Sequence, residues 1–264
     1  MDLTTVRAEV DDGLATLTLA RPGAGNAIDL ALARELHEVT AAWRADRGVR
    51  AVLLHGEGPT FCVGGDLKSF AAQDDLPAHL TEVTDHFHAA LSHLTAMDAP
   101  VVAAVQGSAA GGGLSLALGA DLVLAGASSR FVMAYTAIGL TPDGSGTWSL
   151  PRLVGLRTAL ELTLTNRILS AGDALAAGLV TRVVDDDSLL DEAAALARGL
   201  ARGPTGALGA AKRLVRGALA HDIDEQMALE QASLVAAAAS ADGREGIAAF
   251  LEKRQPDLRG EDRW

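Results

Sequence analysis

The chain reads as an α/β fold followed by a helical region, and three observations predict it. Apolar β-branched runs alternate with amphipathic helical stretches up to about residue 184; two of the strands end in glycine clusters that lead into helices; and from Gly203-Pro204 onward the pattern is helical only. Of 264 residues, 49% are apolar and 21% charged, a balance that can bury a sizeable core and excludes disorder. The formal net charge of −12 repels nucleic-acid phosphates, so no nucleic-acid partner is expected, and any anionic ligand needs a local basic patch. No uninterrupted apolar run reaches the roughly 18 residues of a membrane span, and Met1 to Arg7 lack a basic-then-apolar leader pattern, so the expected location is cytoplasmic, off the membrane. The single cysteine, Cys62, has no disulfide partner within the chain and reads as a small buried hydrophobe in a reducing compartment.

Taken in order, Val6 to Val10 and Leu14 to Leu19 alternate apolar with polar around Asp11-Asp12-Gly13, a hairpin signal. After the Arg21-Pro22 loop, Asp29 is placed to cap a helix with apolar residues at Leu32, Leu36, Val39 and Trp43. Ala51 to His55 is a strand, and Leu76 to Met97 is a helix carrying His79, His86, His88 and His93. Three of these histidines recur every seven residues, but seven residues of helix rise about 10.5 Å, too far to share one ion, so no metal is expected and most of them read as a solvated face. Val101 to Val105 follows Pro100 as a buried strand, the segment after Gly113 is a closely packed helix, and Asp121 to Ala125 is another strand. Leu150 to Leu164 reads as one helix, and a last strand ends near Val184. The tail is expected as helices over 206–219, 223–239 and 244–253, alanine-rich and with too few large side chains to form a core alone, so they should pack on other subunits.

The two glycine junctions carry the chemistry. Gly107-Ser108-Ala109-Ala110-Gly111-Gly112-Gly113 lies between a buried strand and a helix start, where amide N–H groups are unpaired and partial positive charge collects, a place to hold an oxyanion. Its spacing does not fit G-x-G-x-x-G, and no Gly-Lys-Ser or Gly-Lys-Thr follows, so dinucleotide and P-loop readings lack their defining residues. Gly58-Pro59-Thr60-Phe61-Cys62-Val63-Gly64-Gly65-Asp66-Leu67-Lys68 is a second such junction.

This pair resembles the signature of the enoyl-CoA hydratase/isomerase (crotonase) family: a Phe-(Ser/Cys)-x-Gly-(Ala/Gly)-Asp-Leu segment, matched by Phe61 to Leu67, then a glycine-rich segment matched by Gly107 to Gly113. The resemblance runs from about Arg21 to the C terminus. It implies a spiral of ββα turns over residues 1–202, with 203–264 as a helical oligomerisation region that builds a homotrimer or a dimer of trimers. It implies an acyl-CoA thioester substrate, with coenzyme A arriving as part of that substrate and no separate cofactor. The amides of Gly65 and Gly112 would each donate to the thioester oxygen. Val63, Asp66, Leu67 and Lys68, with Phe250 and Lys253 of the last helix, would contact coenzyme A.

The hydratases of the family use two glutamates, and their positions are held here by Ser115 and Tyr135, neither of which is a carboxylate base at neutral pH. What remains is Asp143, in Gly139-Leu140-Thr141-Pro142-Asp143-Gly144. Local sequence alone reads it as a turn residue capping the next helix. Family members that move double bonds, including phenylacetate-pathway isomerases, carry an aspartate acid/base in a similar loop, so isomerisation is the implied reaction. The 4-chlorobenzoyl-CoA dehalogenases place a nucleophilic aspartate there, a tryptophan at the position of Tyr135, and a histidine base matched by His88. An atypical hydratase and a non-catalytic acyl-CoA-binding protein complete the alternatives. Serine hydrolysis through Gly113-Leu114-Ser115-Leu116-Ala117 lacks the last glycine of G-x-S-x-G.

Overall fold

The computed structural model describes residues 3–258 and 260. The hairpin forms as expected: β1 (Val6–Asp11) and β2 (Leu14–Leu19) are antiparallel, turning at Asp12 and Gly13, both with positive φ. α1 (Leu30–Ala45) starts where the Asp29 carboxylate accepts the Leu32 N–H at 2.8 Å. β3 (Ala51–Gly56), α2 (Leu67–Ala71), α3 (Leu76–Ala96), β4 (Val101–Val105), β5 (Ser108–Ala110), α4 (Gly112–Gly119), β6 (Leu122–Gly126) and β7 (Arg130–Val132) continue the alternation. After the Asp143 loop come α5 (Gly146–Val154), α6 (Leu156–Thr165), β8 (Leu169–Ser170), α7 (Ala171–Ala176) and β9 (Arg182–Val184), then α8 (Leu189–Ala201), α9 (Thr205–Gly217), α10 (Ile223–Ala239) and α11 (Ala241–Glu252).

Two sheets organise these elements. The main sheet runs β1-β2-β3-β4-β6-β9, parallel throughout apart from the hairpin, and a small second sheet runs β5-β7-β8. Each long strand crosses to the second layer before its helix: β4 to β5 to α4, and β3 to the Cys62 and Gly65 bridges to α2. That strand, short strand, helix repeat is the ββα spiral. Because successive side chains point to opposite faces, one sheet serves two cores. Val101, Ala103 and Val105 face a large cluster with α1 and α3, whereas Val102 and Ala104 face Leu189, Ala193, Ala197 and Ala201 of α8.

The structure departs from the sequence reading at several points. α4 begins at Gly112, inside the glycine run, because Gly111 (φ 50) makes the turn. The expected helix over 150–164 is two, parted at Gly155 (φ 78), and it starts earlier, at Gly146. α8 was not anticipated at all, since its small alanines carry little signal.

The tail is tied to the core at Asp121. Its carboxylate accepts Lys212 Nζ and Arg216 Nη2, each at 2.8 Å, and the Val101 N–H at 2.8 Å. The Lys212 side chain is only 7% exposed; burial pushes its pKa down, and the Asp121 charge opposes this. α10 buries no residue, and Met227, Leu234 and Val235 are exposed along it. Among the described residues no helix is long and apolar enough to cross a membrane.

Removing one partner of a buried ion pair strands the other. Asp121→Ala is therefore expected to cost about 3 kcal/mol in urea unfolding. A loss too small to move the midpoint would mean that the Leu94 and Ala99 carbonyls, to which Lys212 Nζ also donates at 3.0 and 3.4 Å, suffice for it.

Candidate active site

The site is built where the two glycine junctions meet. Phe61 N–H donates to the Gln106 carbonyl (2.8 Å), Cys62 N–H to Ser108 (3.1 Å), and Ala110 N–H back to Cys62 (3.0 Å), so the segments run side by side as a short parallel pair. Any side chain on Gly113 would run into the Cys62 carbonyl, which is why glycine stands there. The thiol of Cys62 donates to the Asn26 carbonyl at 3.1 Å, and burial pushes its pKa up to about 12, so it is an inert core group as expected. Gly65 and Gly112 donate none of these loop bonds, and both line one cavity.

The cavity encloses about 340 Å³. Its lining comes from Ile28, Val63, Leu67 and Phe70, from Leu80, Val83, Thr84 and Phe87 of α3, and from Ile138 and Leu140. The α3 residues share one face of that helix, at spacings of three and four residues. That spacing was available in the sequence, where only a histidine of this helix was considered for the pocket.

Asp143 is the one carboxylate among the described residues lining the cavity. Its side chain does not cap α5: the N-cap position is Ser145, with φ 65 and no side-chain cap bond. The turn forms as expected, with Gly146 N–H donating to the Asp143 carbonyl at 3.0 Å, but the capping half of the reading is corrected, and the reason lies in tertiary partners. Tyr135 Oη donates a short hydrogen bond to Asp143 Oδ1, and His88 Nε2 lies 3.3 Å from Oδ2. Ser115 Oγ donates to the Asp143 carbonyl at 2.9 Å. Gly144 N–H also approaches His88 Nε2, at 3.2 Å, so one ring nitrogen touches both the carboxylate and the next amide of the loop. Burial, and then the Asp143 charge, push the Tyr135 phenol well above its ordinary pKa, so it remains a donor.

The other anticipated residues are spread more widely. Val63 and Leu67 line the cavity; Asp66 caps α2 and pairs with Arg21 Nη2 at 2.9 Å. Lys68 and Lys253 are exposed, Phe250 is 82% exposed, and none of the three lines the cavity. Of the four histidines on α3 only His88 is exposed, which corrects the solvated-face expectation for the rest. His79 packs its ring edge against Phe70. His37 of α1, not considered from sequence, joins His86 and His93: its ring centroid lies 5.2 and 5.3 Å from theirs, with Nδ1 of His37 and His86 3.0 Å apart.

Burial holds His93 below the ordinary histidine pKa, and the neighbouring His37 and Arg44 act in the same direction. The unfolded chain therefore binds this proton more readily, and the contribution to stability is complete above about pH 6.5 and lost as pH falls below it. The melting temperature is expected to drop between about pH 7 and pH 5, and His93→Gln should flatten that drop. An equal slope in both proteins would assign the acid sensitivity elsewhere.

The second-layer crossing of each strand and the cavity at the glycine junctions define a crotonase-type architecture. The family profile for enoyl-CoA hydratase/isomerase matches residues 9–261, and the chain belongs to that family. It is 40% identical to the 1,2-epoxyphenylacetyl-CoA isomerase of Escherichia coli K12, over 97% of this chain and 98% of that protein. It is 31% identical to a 4-chlorobenzoyl coenzyme A dehalogenase of Arthrobacter, covering 94% and 91%. The crystal structure of an enoyl-CoA hydratase from Polaromonas sp. JS666 superposes with a TM-score of 0.91 at 34% identity, covering 96% and 99%. Relatives named hydratase outnumber the others at these levels of similarity.

Proposed function

We propose that this acyl-CoA enzyme shifts a double bond within its substrate, with Asp143 as the acid/base. The observation that carries the reading is Asp143, the one carboxylate lining the cavity among the described residues, beside the Gly65 and Gly112 amides; the family resemblance adds that Ser115 and Tyr135 stand at the positions of the hydratase glutamates. Asp143 would take a proton from the carbon next to the thioester. The C–H electron pair moves into the conjugated system and charge gathers on the thioester oxygen, where the Gly65 and Gly112 amides meet it. Asp143 then returns the proton to a carbon further along the chain, so atoms and charge balance without water. The likeness to a named isomerase supports this. Among the described residues no lysine or arginine lines the cavity, so a distal carboxylate on the acyl group would be buried unpaired, and the reading extends to uncharged acyl groups.

A second reading rests on the contact of His88 with Asp143 Oδ2. In it the carboxylate attacks a halogenated aromatic ring, halide leaves, and His88 activates the water that cleaves the resulting ester. Tyr135, in place of tryptophan, weakens the match.

Asp143→Asn should fold normally and lose about 10²-fold or more in turnover of a 3-enoyl-CoA. In deuterated water, mass spectrometry should show an isomer of unchanged formula apart from label. A product heavier by one water would make the protein a hydratase, and halide released from 4-chlorobenzoyl-CoA would favour the second reading.

For the C-terminal region we infer assembly as a trimer or a dimer of trimers, supported by the exposed apolar side chains of α10 and α11. Lys68, Phe250 and Lys253, all outside the cavity, would reach coenzyme A in that assembly. Sedimentation at micromolar concentration should give three or six times the monomer mass, and a stable monomer would remove this reading.

A further inference from the structure

Proton abstraction by Asp143 needs no phenol, yet the fold goes to some length to place one. Tyr135 is the chain's only tyrosine. It follows Ala134, a non-glycine residue in the left-handed region at φ 61, which turns the chain so that the ring enters the cavity. The hydroxyl lies 3.7 Å from where a side chain on Gly112 would begin, and the ring 3.8 Å from the same point on Gly111. Packed against the glycine turn, the phenol is held over one oxygen of one carboxylate.

We propose that Tyr135 is the positioning residue of Asp143. Its bond to Oδ1 fixes the plane of the carboxylate and leaves Oδ2 as the oxygen that takes and returns the substrate proton. The proposal rests on the proton-transfer reading of the site. A phenol donates more strongly to a carboxylate than to a neutral carboxylic acid, so the bond tightens when Asp143 is charged and loosens once it holds the proton. Loosening favours release of that proton to the product carbon. The other groups facing Asp143 divide the remaining work: His88 from α3 approaches Oδ2, and Ser115 from α4 is committed to the backbone carbonyl. A tyrosine that merely filled space could be phenylalanine without consequence.

Because there is one tyrosine, growth on 3-fluorotyrosine places a single ¹⁹F label on this ring. With His88→Gln as background, to remove the histidine titration, the resonance should shift with pH across the carboxylate range, and Asp143→Asn should abolish the shift. In 3-enoyl-CoA turnover, Tyr135→Phe should lower kcat about 10-fold at unchanged KM and move the acid limb of the kcat/KM profile up by about one pH unit. It should add nothing to Asp143→Asn. A resonance indifferent to pH, or one titrating equally in Asp143→Asn, overturns the proposal, as does an unmoved acid limb. The label keeps the test open if Tyr135→Phe misfolds. A titrating resonance in a protein that isomerises no 3-enoyl-CoA would retain the coupling and discard the reaction; a flat resonance in an active isomerase would do the reverse.

Discussion

The reciprocal hydrogen bonds that join Cys62 to Ser108 and Ala110 are what the cavity depends on. They bring together two junctions some fifty residues apart in the chain, and they do so through the backbone alone. The surrounding sequence protects that contact. Asn26, fully buried, donates to the Glu57 and Thr60 carbonyls at 3.0 and 2.7 Å and so shapes the approach of the first segment. Gly113 leaves the Cys62 carbonyl free to accept. The two core clusters on either side of the main sheet keep β3 and β4 in register, which in turn keeps the junctions level.

This arrangement addresses a difficulty that the composition creates. A chain with net charge −12 would be a poor host for the negative charge that the proposed reaction develops, and among the described residues no lysine or arginine lines the cavity. In the proposed reaction amide dipoles would supply the positive potential, and such dipoles cost no reorganisation when charge develops. They also bring no long flexible cation into an apolar chamber, where an unpaired charge would be expensive.

Much of this was legible in advance, and unevenly so. Strands and amphipathic helices announce themselves through periodicity, and the Asp29 cap through local chemistry. The glycine junctions were legible because glycine has few other reasons to cluster at strand ends. α8 was not, because its Ala193, Ala197 and Ala201 stripe packs by being small, which periodicity of large apolar residues does not register. Local chemistry read Asp143 half correctly: Pro-Asp-Gly does make a turn, but the carboxylate does not cap the helix, because Tyr135 and His88, brought in by the tertiary fold, contact it instead. The histidine trio shows the same limit, since His37 lies on a different helix from its two partners.

The backbone at position 143 is tied down by its neighbours rather than by its own side chain. Ser115 holds the Asp143 carbonyl, and the next amide donates to His88. The bonds that hold the loop backbone here are therefore separate from those that the Asp143 carboxylate makes. A lineage can exchange the group at this point and at Tyr135 without refolding the site, a freedom that suits a family whose members bear the names of isomerases, hydratases and dehalogenases. For an engineer it marks these two positions as the place to write new acyl-thioester chemistry on an unchanged frame.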